Sequence, residues 1–316
     1  MKEEKQLTQS ARDYAVYVGD VALDEYYRTP RWPSVADKVE VQTLEAIPGG
    51  MIANAACVYA ALGNQVKFCT VLRRSPITEL LLKDLEASGV DVSMTIYDDT
   101  LPDSKTMIFL CGEEHTIFIP TLHVDTIDFT PEQFEVLKGA KYLYSTVGYL
   151  SCITCEGKRW KELAPVLRAH DVKVVVDYDV DYERNGDTER FRNVDIGFFN
   201  ETGFDSIRQG KSYEDAARML QSLGMQTVVV TLAERGCEIY SGEAVQASGA
   251  QNAGRRCNRG RRYILLLVYF AAGRNGGRTG RQICKRSGVA VRVEAWRSQR
   301  CGQKRRGAQI TMAELN

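Results

Sequence analysis

No apolar run in this 316-residue chain is long enough to cross a bilayer. The longest, Ile264 to Ala272, falls far short of the roughly 20 residues a spanning helix needs. The opening stretch, MKEEKQLTQS, is charged and polar and has no secretory apolar core, so a cytoplasmic chain without a membrane partner is expected. Histidine is scarce: His115, His123 and His170 are too dispersed for a metal triad and are expected on the surface or in loops. The nine cysteines lack the spacing of a disulfide framework. Cys152-Ile-Thr-Cys155 has no second pair or histidines at ligand spacing, so reduced thiols are expected there. Acid is missing from one region. Residues 251–316 hold 14 Arg and 2 Lys against only Glu294 and Glu314, although the whole chain balances 41 basic with 41 acidic groups. The first 250 residues are therefore strongly acidic.

Within residues 1–246, strand-like and helix-like segments alternate, the pattern of a mostly parallel sheet flanked by helices. YAVYVG, VKFCTVL, KYLYSTV, VKVVVDYD, DIGFFN and TVVVTL read as buried strands. NAACVYAALG, ITELLLKDLEASGVD, GKRWKELAPVLRAH and SYEDAARMLQSLG read as helices. Two stretches, about 25–48 and 98–120, alternate polar and apolar residues instead. The second reads as a hairpin turning at Cys111–Glu114. Together they predict a small, half-exposed sheet that closes as a lid over a cleft, and its exposed edge offers a route to a homodimer.

Four motifs carry candidate chemistry. In GDVALD, Asp24 follows the first strand, where open α/β sheets bind ligands and where a carboxylate accepts from a polyol. In GGMIANAA, Gly49 and Gly50 let backbone approach a ligand, and Asn54 on the first helical turn donates and accepts toward hydroxyls. In DIGFFNET, a strand delivers Asn200 and Glu201, a pair suited to hydrated Mg²⁺ or phosphate. TLAERG, from Thr231 to Gly236, follows a strand and suits a nucleotide-phosphate turn. By contrast, GKS at Gly210–Ser212 lacks the first glycine of a P-loop and is expected to be a loop with a helix N-cap.

In this order and spacing the four motifs resemble the ribokinase-like (PfkB) carbohydrate kinases, from Tyr14 to about Val245. The resemblance implies a three-layer α/β/α sandwich with a small β-sheet lid. It also implies transfer of the γ-phosphoryl of ATP to a sugar hydroxyl with Mg²⁺; a nucleoside is the alternative acceptor. Carried over by position, Asp24, Gly49, Gly50 and Asn54 would hold the sugar. Asn200 and Glu201 would order Mg²⁺ and phosphate, with Glu201 as the metal's carboxylate, and Thr231 and Gly236 would line the nucleotide site. This chain departs from the pattern at Met51, at Gly203 (where a second acid follows N-E) and at Ala233 (where T-L-G has glycine).

The family's D-x-x-GAGD signature is absent. Its backbone N–H groups form the anion hole for the transferring phosphoryl group, and its last aspartate takes the hydroxyl proton. RRCNRGRRYI, from Arg255 to Ile264, stands in its place, so no catalytic residue is assigned. Permitted codons for Arg256 to Leu265, read one base later, give DATGAGDTF, and Gln282 to Arg286 likewise gives RFANA. Residues from about Ala247 onward are thus expected to be an out-of-frame translation, with the C-terminal part of the core disordered or misformed. Taken at face value, 247–316 is instead a basic arm for nucleic acid, a reading that its sparse aromatic residues disfavour.

Overall fold

Strands in this chain are continuous runs of β-branched and aromatic residues, because both of their faces are covered. In the computed structural model, residues 14–61, 64–178, 188–232 and 237–241 are described, together with the backbone of three later strands. In chain order the principal elements begin with β1 (Tyr14–Val18), β2 (Ala22–Arg28), β3 (Gln42–Thr43), β4 (Ile47–Gly49) and α1 (Met51–Ala61). There follow β5 (Gln65–Cys69), α2 (Pro76–Ala87), β6 (Lys105–Cys111), β7 (Glu114–Phe118) and α3 (Pro131–Gly139). Next come β8 (Tyr142–Thr146), α4 (Val147–Cys152), α5 (Trp160–Ala169) and β9 (Lys173–Asp177). β10 (Ile196–Asn200), α6 (Glu201–Arg208), α7 (Tyr213–Ser222), β11 (Thr227–Thr231) and β12 (Cys237–Ser241) complete this part.

Seven strands form the central sheet in the order β12-β11-β10-β9-β8-β1-β5. All pairs are parallel except β11 with β12. The period of two along each strand sends alternate residues to opposite layers. Val174 and Val176 face one core with Leu137 of α3, Leu163 and Leu167 of α5, Phe204 of α6 and Leu220 of α7. Val175 between them faces the other core, with Ile52 and Ala56 of α1 and Leu81 and Leu85 of α2. This is the expected three-layer sandwich.

The lid sheet has the order β3-β2-β6-β7, with β4 also pairing to β2. β6 and β7 make the expected hairpin: Cys111 pairs with Glu114, and Gly112 between them takes φ +58°. β7 lies at the edge of this sheet and is exposed along its length. No helix among the described residues is long and apolar enough to cross a membrane.

Beyond residue 241, three strands, Gly280–Cys284, Val289–Trp296 and Gly307–Glu314, pair antiparallel in a sheet of their own. The arginine-rich stretch 255–264, and with it most of the expectation for the C-terminal core, lies outside the described residues. Among the described residues no His, Cys, Asp and Glu cluster in metal-binding groups of three. Cys152 and Cys155 are free thiols. The GKS stretch is a turn followed by α7, whose N-cap Ser212 accepts from Asp215 N at 3.1 Å.

Candidate active site

The first half of the site forms where β1 ends against the start of α1. Gly19 must lack a side chain, because a Cβ there would meet Ile52 at 2.4 Å. That close approach lets the Asp20 carboxylate accept from Met51 N (2.6 Å) and Ile52 N (3.2 Å), two of the unpaired donors that open α1. Gly50 takes φ +107°, a conformation that disfavours any Cβ, and one built there would strike the Asp20 carbonyl oxygen at 2.7 Å.

Gly49 pairs across to Ala22, and β2 carries Asp24 two residues on. A Cβ on Gly49 would stand 2.1 Å from Asp24 Oδ2, so the glycine is what leaves room for that carboxylate. Asn54, half-buried, sits one turn into α1 with its N–H on the Gly50 carbonyl at 3.0 Å. Asp24, Gly49, Gly50 and Asn54 are therefore brought together at the junction of lid and core.

The second half forms at the ends of β10 and β11. Asn200 pairs in register with Thr231, and the Thr231 hydroxyl donates to the Phe199 carbonyl at 3.2 Å. Asn200 is the N-cap of α6, its Oδ1 accepting from Gly203 N at 2.6 Å. Glu201 opens the same helix, where a carboxylate is favoured by the helix dipole. These three residues share one edge of the sheet. Gly236 lies outside the described residues.

Between the two halves the sheet places residues that the motifs did not single out. β10 and β1 are separated by β9 and β8, three strand spacings or about 14 Å in all. Asp177 ends β9, is buried, and accepts from the Tyr144 hydroxyl at 3.1 Å. Burial pushes the Asp20 carboxyl upward from the usual aspartate range, and the Asp177 charge adds to the rise; the two α1 N–H groups pull it back down. Burial also raises the Tyr149 hydroxyl on α4, and the charge of Asp20 raises it further. Asp20, Tyr149 and Asp177 thus lie along the carboxyl edge between the Asp24–Asn54 corner and the start of α6. YVGD and VVVD each put an aspartate at the end of an apolar strand, but only the sheet order brings these two, with Tyr149, to one edge.

Known proteins share this fold. The pfkB family carbohydrate kinase profile matches residues 12–253. No curated protein matches the chain in sequence. The structure of Arabidopsis thaliana ribokinase with ribose and ATP is similar at a TM-score of 0.62 and 17% identity, over 84% of this chain and 87% of that one. Fructokinase from Xylella fastidiosa with bound ATP gives 0.56 and 17%, over 73% and 75%. Adenosine kinase from Sinorhizobium meliloti gives 0.57 and 19%, over 84% and 88%.

Proposed function

Because the chain belongs to the pfkB family of carbohydrate kinases, whose members are phosphotransferases, we propose that residues 1–246 are built to phosphorylate a sugar hydroxyl with ATP in the cytoplasm. The observation that carries this reading is the close approach of the Asp24 carboxylate to Gly49, where a Cβ would stand 2.1 Å from Oδ2. A glycine forced by a neighbouring carboxylate, at the carboxyl edge of a parallel sheet and beneath a lid, is a hydroxyl-binding corner.

Asp24 and Asn54 accept from and donate to the sugar. Asn200, Glu201, Thr231 and Gly236 serve the phosphate end; β10, which carries Asn200, stands about 14 Å from β1 along the same edge, a distance suited to a triphosphate reaching toward the acceptor. Glu201 is the one carboxylate of that set, which fits Mg²⁺ held mainly by ATP oxygens and water. Bound there, the ion would neutralise charge on the phosphates.

The same reading gives the chain a defect. The anion hole and proton acceptor belong after TLAERG, and RRCNRGRRYI occupies that place. The family match stops at residue 253, just before this stretch. We attribute the change to a one-base slip near Ala247, and phosphoryl transfer is impaired accordingly. Sequencing the gene across Arg256 tests this; DNA without a GAT-GCN-ACN-GG string one base out of register would end it. A basic arm for nucleic acid is the competing reading of 247–316, supportable by salt-dependent binding of that segment to DNA or RNA.

A nucleoside is the second acceptor to consider, on the strength of the adenosine kinase likeness. Thermal shift with ribose, fructose, a keto-deoxy sugar and adenosine separates the acceptors. Stabilisation by none of them would defeat the kinase reading. The exposed β7 edge, with Ile117, Phe118 and Ile119 standing in solvent, fits pairing with a second copy through the lid.

A further inference from the structure

The start of α1 has no cap of its own. Glycine precedes it, and its first turn contains no acid. Asp20, two residues past β1, supplies what is missing from across the junction. Its Oδ2 accepts from Met51 N at 2.6 Å and its Oδ1 from Ile52 N at 3.2 Å. Its carbonyl oxygen accepts from Ala53 N at 3.1 Å, so one residue holds three successive N–H groups. The next N–H, on Asn54, goes to Gly50 O at 3.0 Å. The direction in which α1 leaves the sheet, and with it the place of Asn54 beside Asp24 and Gly49, thus depends on Asp20.

We infer that Asp20 is a positioning residue of the acceptor corner: only while ionised does it hold the start of α1, and through it Asn54, so acceptor binding weakens when Asp20 takes a proton. This inference rests on the kinase reading above. An ionised carboxylate accepts with both oxygens, whereas a protonated one turns one oxygen into a donor. Facing Met51 N and Ile52 N, that form leaves one of the two N–H groups without its partner.

The ionisable groups around Asp20 set where this happens. Asp177 comes from β9 and Tyr149 from α4. β5 brings the Cys69 thiol, pushed by burial to about 12 and therefore neutral. From the lid, Asp24 follows on β2, and Asp103 and Lys105 flank Ser104, whose hydroxyl bonds Val21 O at 2.7 Å. Lys105 is engaged by Glu25 at 2.9 Å. Burial raises the Asp20 carboxyl, the two α1 N–H groups draw it back, and the Asp177 charge raises it further. A carboxyl raised in the folded state costs stability above its folded pKa, and that cost is lifted as pH falls toward the unfolded value of about 3.9. Over the same interval the acceptor corner loses its anchor. Stability and binding should therefore move in opposite directions.

Calorimetric titration of the full chain with ribose, fructose and adenosine, from about pH 8 to about pH 4, tests this beside melting temperatures at each pH. Asp20→Asn is the comparison, since asparagine accepts with one atom only and does not titrate there, while Asp24 is kept. For whichever probe binds, Asp20→Asn should be about tenfold weaker near neutrality. As pH falls, the parent's advantage in affinity should disappear while its melting temperature rises relative to the variant. Asp177→Asn should shift the midpoint of the parent's affinity profile to lower pH. If Asp20→Asn does not fold, that shift carries the test. Affinity and melting temperature that move together mark a merely structural cap and overturn the inference, as does a midpoint unmoved by Asp177→Asn; the kinase reading survives both. Failure of all three probes to bind the parent would remove both.

Discussion

Gly49 is the residue whose replacement separates sugar binding from general stability. Gly49→Ala forces a methyl to within 2.1 Å of Asp24 Oδ2, and the carboxylate must turn out of the corner. The expected cost is about 1–3 kcal/mol of stability, as for other overpacked sites, together with loss of sugar-dependent thermal shift. Gly224→Ala is the control. Its φ is left-handed at +107°, unlike that of Gly49, but nothing lies within 4 Å of the added methyl, so backbone strain alone should cost about 1 kcal/mol and leave the shift intact. Equal ligand responses in the two variants would remove Gly49 from the site. At the other half, Asn200→Ala takes the cap from Gly203 N and should cost about 1 kcal/mol. It should weaken ATP binding in a calorimetric titration with ATP, whereas Asn200→Asp should restore the cap without restoring the amide.

Elements were legible where periodicity and composition agreed, and missed where a short signal carried them. The six apolar strands and the β6–β7 hairpin stood out, because burial on both faces demands unbroken Val, Ile and Phe, and a two-residue turn demands Gly112. α3 was overlooked even though Thr130 and Gln133 form a full capping box around Pro131, with bonds of 3.2 and 3.0 Å. Its apolar stripe is only Phe134 and Leu137, too short for a periodicity argument. Thr130→Ala should destabilise by about 1 kcal/mol in chemical denaturation. The lid carries a different test. The Lys105 ammonium holds the Glu25 carboxyl below the usual glutamate range, by hydrogen bonding first and by charge as well. A depressed carboxyl stabilises the fold above its unfolded pKa, and that contribution fades as pH falls through the folded value. Lys105→Met should therefore cost at most about 1 kcal/mol near neutrality, since the pair is partly exposed. The difference from the parent should shrink as pH falls below the unperturbed glutamate pKa of about 4.3; hydrogen exchange in β2 and β6 reads it directly.

At the scale of the molecule, the proposed function divides the candidate site into a binding corner and a phosphate end and lodges its chemistry in a segment where the family's D-x-x-GAGD is absent. Asp24, Gly49, Gly50 and Asn54 were found from motifs because each has a residue-specific reason to be there. Asp20, Tyr149 and Asp177 were not, because their importance comes from sheet order, which sets strands far apart in sequence side by side. No spacing rule reveals that. The same sheet order explains why a slipped register near Ala247 would harm catalysis more than substrate capture. Sugar-corner residues all precede residue 55, and the phosphate-end residues precede 237, upstream of the slip. An anion hole and a proton acceptor, by contrast, act on charge that develops only in the transition state, and loss of either group alone typically costs about 10²–10⁴ in rate. A chain restored in frame from about Ala247, and so carrying DATGAGDTF and the in-register sequence beyond, should bind the sugar within a few-fold of the present chain. It should consume ATP at least about 10³-fold faster. Comparing sugar-dependent ATP hydrolysis with calorimetric sugar binding on the two proteins decides the matter. Equal turnover would mean that the present C-terminus does the catalytic work, and the frameshift reading would then be abandoned.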